Sequence, residues 1–152
     1  LRPTYWTDGI NFQLGFNEII SALAAMIIMI ILHEGVHGLF FWNYTKERPR
    51  FGFNGLYAYA GAPEWCLPRN EFMITGLAPL VTLSILGVLL MPIIPLSLMP
   101  ALLFFLIFNA SGAVGDIVTI FFVMTRPPTS YIRDVGDAFT IYSLPIDDQA
   151  GF

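Results

Sequence analysis

His33 and His37 are the only two histidines among the 152 residues, and Glu34 follows the first of them. On a helix, positions i and i+4 share a face, so both imidazoles can ligate one metal ion. Glu34 is offset around the same helix and is suited to hold an attacking water as general base. Histidine and glutamate inside an apolar run cost several kcal/mol of desolvation unless they pair or bind something. That cost favours a metal centre over two histidines satisfied in a core. Catalytic zinc sites take three protein ligands and keep a fourth position for water, so one zinc per chain is expected, with its third ligand from elsewhere. Affinity order alone would favour copper, and availability decides the metal.

Asp116 is the only acidic residue within the third apolar run and leads as that ligand. Glu71, Asp134 and Asp137 compete with it. Glu71 reads more simply as an acid at a helix N-terminus, favourable to the dipole. Asp134 and Asp137, flanking Gly136, read as turn residues. Cys66 is a lone cysteine, unable to form an internal disulfide, and reads as a small interfacial residue.

The elements that must position these groups are membrane spans. The chain is 56% hydrophobic and 12% charged, with a mean hydropathy of +0.69, against about 25% charged residues in a soluble domain. Its apolar residues cluster in runs of roughly the 20 residues needed to cross the hydrocarbon. The fold class expected is all-α integral membrane: one membrane domain with three spans, at about 18–42, 71–90 and 99–124. Pro79 removes a hydrogen bond inside the second span and should kink it. Lys46, Arg48, Arg50, Arg69, Arg126 and Arg133 all fall on one side and only Arg2 on the other. The N-terminus is therefore expected outside, and the first loop and C-terminus in the cytoplasm. Leu1 in place of Met fits a processed or trimmed start. No short cleavable signal is expected ahead of the first apolar run, whose charges a signal core would lack.

The first and third spans run in the same direction. At 1.5 Å per residue, His33 and His37 lie about 8–14 Å from the cytoplasmic end of their helix and Asp116 about 12 Å from its own, so they come level. Ser111 with Gly115, and Gly112 with Asp116, place small residues four apart, which lets helices approach closely. Asn109, seven residues before Asp116, shares its face and either binds substrate backbone or hydrogen-bonds across the bundle.

Between the first two spans, aromatic and β-favouring residues surround Asn54-Gly55, a strong hairpin turn signal. A small cytoplasmic-side β-hairpin over about 51–60 is expected. Its residues Phe53 and Tyr57 would contact substrate or cover the mouth of the site. The tail over about 127–152 reads as an interfacial loop. With no basic run interleaved with aromatics, nucleic acid is not an expected partner. Lipid is expected, as is a peptide or membrane-protein substrate, with room for a membrane partner or a homo-oligomer.

Three motifs carry a resemblance: His33-Glu34-Gly35-Val36-His37, Leu77-Ala78-Pro79-Leu80, and Asn109 through Asp116. They resemble a bacterial membrane family of zincin peptidases, a domain-of-unknown-function group. The resemblance extends to Tyr131 through Asp137. The layout is also similar to the three-helix core of site-2 intramembrane proteases. That likeness implies His33, His37 and Asp116 as zinc ligands and Glu34 as the base. Asp116 departs from the site-2 pattern, being followed by Ile117 where glycine is common.

The activity expected is a zinc endopeptidase working in or at the surface of the cell membrane. The alternative is a non-catalytic or degenerate metal-binding protein that holds membrane segments or partners. A metal transporter is disfavoured by the single ligand cluster.

Overall fold

The computed structural model describes residues 15–143, apart from 54, 56 and 137. Helix α1 (Phe16–Thr45) is 30 residues long and ends on Lys46 in the left-handed conformation, whose N–H returns to the carbonyl of Trp42. Strands β1 (Arg50–Phe53) and β2 (Ala58–Gly61) follow. A short strand β3 (Cys66–Pro68) then leads directly into α2 (Arg69–Leu90), which continues through Pro79. Pro92 and Pro95 prevent α2 from extending. A 3-10 turn (Leu96–Leu98) enters α3 (Met99–Gly112), and α4 (Val114–Met124) follows after the single residue Ala113. Strands β4 (Tyr131–Asp134) and β5 (Phe139–Tyr142) complete the described chain.

Three helical stretches, Ile19–Thr45, Arg69–Leu90 and Leu96–Met124, are long and apolar enough to cross a membrane. At most 28% of any one of their most apolar windows is buried inside the protein. Most of their apolar side chains therefore point outward, the arrangement expected where lipid is the solvent. Helix α1 packs against α2 and α3, and α2 also packs against α4.

The third stretch covers the expected span of 99–124, with one single-residue interruption. It breaks at Ala113, whose N–H is shared between the carbonyls of Asn109 and Ser111. Gly112 and Gly115 flank the break, and glycine holds helical backbone weakly. The break sets Asp116 in the first turn of α4, where an acid suits the helix dipole.

The hairpin forms over 50–61, antiparallel, with Phe53 opposite Ala58. Its connection is four residues long, not the two-residue turn that Asn54-Gly55 suggests. Gly55 carries the positive φ, at 93°, and Asn54 lies outside the described residues. Gly38 on α1 seats the hairpin, since a Cβ there would meet the ring of Phe51.

The all-α expectation is corrected by a second, three-stranded antiparallel sheet in the order β3-β4-β5. The reading of 127–152 as an interfacial loop is corrected with it, because 131–142 fold back as a hairpin onto β3. The register places Leu67 opposite Ile132 and Ile132 opposite Ile141. Leu67 and Ile132 pack with Phe41, Ala62, Phe72 and Val123 in a buried cluster that joins this sheet to the ends of α1, α2 and α4. Burial of that apolar cluster is what the tail gains by leaving solvent or lipid headgroups. Residues 144–152 of the expected tail, and Asp137, lie outside the described residues.

Candidate metal centre

Helix α1 presents His33 and His37 on one face, with ring centroids 5.0 Å apart. Both rings are buried. Asp116, from α4, meets them: its Oδ2 lies 3.2 Å from Nε2 of His33 and 3.5 Å from Nε2 of His37. The three donor atoms fall within 4.8 Å of one another. Residues 83 positions apart in the chain thus converge on one point.

The other nitrogen of each ring is already committed. Nδ1 of His37 lies 3.0 Å from the carbonyl oxygen of Thr75, on α2. Nδ1 of His33 lies 3.0 Å from Oδ1 of Asn109. The orientation of that carboxamide is set from its other end, where Nδ2 faces the carbonyls of Pro79 and Leu80 and the hydroxyl of Ser84 at 3.3–3.5 Å. Carbonyl oxygens only accept, so both rings carry their proton on Nδ1. In the neutral rings both Nε2 atoms then offer a lone pair on the side of the Asp116 carboxylate, the donor arrangement that a metal cation takes.

The donor set fits zinc. Two imidazole nitrogens and a carboxylate oxygen are common zinc ligands, and at bond lengths of about 2.0–2.1 Å tetrahedral donors stand about 3.3 Å apart. The two imidazole–carboxylate separations, 3.2 and 3.5 Å, bracket that spacing. Each histidine also hands its Nδ1–H to a fixed acceptor, the usual support of metal-binding imidazoles.

Glu34 stands beside this cluster on α1, and its side chain accepts the backbone N–H of Ala60, in β2. A cavity of about 610 Å³ opens over the three converging groups and Glu34. Its walls include Phe53 and Tyr57 from the first hairpin, Thr75 and Gly76 from α2, and Asp134 and Gly136 from the β4–β5 turn. Asn109 does not line the cavity. It sits fully buried behind His33, so of its two expected roles the structure places it as a brace across the bundle.

The competing ligands separate cleanly. Glu71 lies in the first turn of α2 and Cys66 is exposed in β3, and neither lines the cavity. Asp134 does line it, while its Oδ1 also accepts the N–H of Gly136 at 2.7 Å, so it is a turn residue as expected. Burial raises its carboxyl above the ordinary range, against a smaller downward pull from the Gly136 amide. Two groups at this site were not singled out from the sequence: the Thr75 carbonyl and the Ala60 amide. Both are backbone groups, silent in any reading of side-chain types.

The family model described as "Putative zincin peptidase" matches residues 26–131. That range contains His33, Glu34, His37, Asn109 and Asp116, and the chain belongs to this family. Comparisons with curated proteins and with solved structures find no match.

Proposed function

We propose that this chain is a zinc-dependent endopeptidase of the site-2 type, set in a membrane and cutting peptide within or at the surface of the bilayer. The observation that carries the reading is the convergence of His33 Nε2, His37 Nε2 and Asp116 Oδ2 beside Glu34, at the floor of a cavity. His33, His37 and Asp116 would hold one zinc. Bound there, zinc supplies a Lewis acid for the scissile carbonyl and lowers the pKa of a water towards 7.

Glu34 takes the proton from the attacking water and returns it to the departing amine nitrogen. The Ala60 N–H fixes the carboxylate while it does so. β2 is hydrogen-bonded to β1 on one side, and its Ala60 amide points the other way, towards Glu34. An extended peptide lying in the cavity beside β2 would run past the base, which suits a substrate helix that must unwind before it can be cut. The basic residues between α1 and α2 and after α4 favour a cytoplasmic location for this end of the bundle.

The test is metal content by mass spectrometry together with cleavage of membrane-spanning peptides in proteoliposomes. About one zinc per chain, lost in Asp116→Ala and kept in Glu34→Gln, with cleavage abolished in both, is expected. Full cleavage by Glu34→Gln would overturn the mechanism. Zinc bound without any cleavage would favour a non-catalytic metal protein, with Asp134 a further carboxylate along the cavity wall.

A further inference from the structure

Inside an α-helix each backbone N–H is donated to the carbonyl four residues earlier. Pro79 lies within α2 and has no N–H to give, so the carbonyl of Thr75 is left without its helical donor. Thr75 and Pro79 are both fully buried. A buried carbonyl that has lost its helical donor needs another partner. The donor that reaches it is Nδ1 of His37, at 3.0 Å.

The same stretch of α2 serves the second histidine. The carbonyls of Pro79 and Leu80 receive the Asn109 amide, whose oxygen takes the Nδ1–H of His33. We propose that Pro79 is a positioning residue of the metal centre: by withholding one helical hydrogen bond, it dedicates the Thr75 carbonyl to His37 and fixes that ring with Nε2 turned to the metal. The inference rests on the zinc reading above. It also explains why a helix that must pack between α1 and α4 carries a proline at this one turn.

The test is Pro79→Ala, in detergent-purified full-length chain. Alanine restores an N–H that competes with His37 for the Thr75 oxygen. Zinc affinity, measured by chelator competition, should fall tenfold to a hundredfold. The His37 Nδ1–H proton of the zinc-loaded protein should exchange faster with solvent. Stability of the metal-free protein should stay level or rise, since proline is unfavourable in a helix interior. A purely structural proline gives the reverse pattern: lower metal-free stability and unchanged zinc affinity of the folded protein.

A second variant keeps the test decisive if Pro79→Ala does not fold. Replacing the amide between Thr75 and Gly76 by an ester weakens the same acceptor and leaves every side chain in place. The same exchange between Leu86 and Gly87 is its control. Weaker zinc binding only with the first ester supports the assignment, and equal binding in both overturns it. If the wild type binds no zinc, the zinc reading itself fails. If the wild type binds and Pro79→Ala binds equally well, only the role of Pro79 is lost.

Discussion

The backbone N–H of Ala60, in β2, is donated to the side chain of Glu34, in α1. This one bond ties the proposed base to a strand of the cavity wall, so the position of the carboxylate and the position of the hairpin are not independent. Because that N–H points away from β1, removing it leaves the β1–β2 ladder whole.

Ala60→Pro is therefore predicted to keep zinc and the hairpin while lowering peptide cleavage by about 10- to 100-fold, the value of one hydrogen bond to a charged group. Zinc content and cleavage rate, measured on one preparation, check it. Unchanged cleavage would separate Glu34 from the strand.

Asn109→Leu tests the brace behind His33. Leucine has the same branched shape, somewhat larger, but accepts no hydrogen bond, so His33 loses the partner of its Nδ1–H. Zinc affinity should drop about 10- to 100-fold, with Asp116 and His37 untouched. Chelator competition reads the effect, and an unaltered dissociation constant would assign Asn109 to packing alone.

The centre was legible in the sequence to the extent that it is made of side chains on helices. Spacing four on α1 puts His33 and His37 on one face, and counting residues from the span ends brings Asp116 level with them. The supports were not legible. The Thr75 carbonyl became available through Pro79, four residues later, and only the geometry of α1 against α2 shows which donor takes it. The second sheet was hidden for a different reason. β3 is three residues long and contains a proline, and its partner β4 begins more than 60 residues away, so no local pattern announces the pairing. Asp134 was read as a turn former, which it is. That it also faces the cavity depends on the fold of β4 against β3.

Two glycines should respond oppositely to alanine. Gly136 has φ +97°, and a Cβ there would collide with the ring of Tyr59. Gly136→Ala is predicted to cost about 1–3 kcal/mol. Gly35, by contrast, is helical and has nothing within 4 Å of an added Cβ. Gly35→Ala should be stabilising by roughly 0.5–1 kcal/mol. Thermal unfolding of the two variants in the same detergent decides both.

Asp134 should make stability of the metal-free protein depend on pH. Burial holds its carboxyl above the ordinary aspartate range in the folded state, so between its unfolded and folded values the native chain binds more protons than the unfolded one. Stability from this group is then greatest when it is protonated, and it is lost as pH rises from the ordinary aspartate value through the raised one. Asp134→Asn stays neutral throughout and keeps an oxygen to accept the Gly136 N–H. Above that window the variant should therefore melt higher than the wild type, by about 2–5 °C, and the gap should close as pH falls through it. Melting curves of both proteins with a chelator present, from pH 4 to 7, isolate the effect because the remaining titrating groups are common to both. A gap that widens towards acid would mean that the ionised carboxylate is the form the fold prefers.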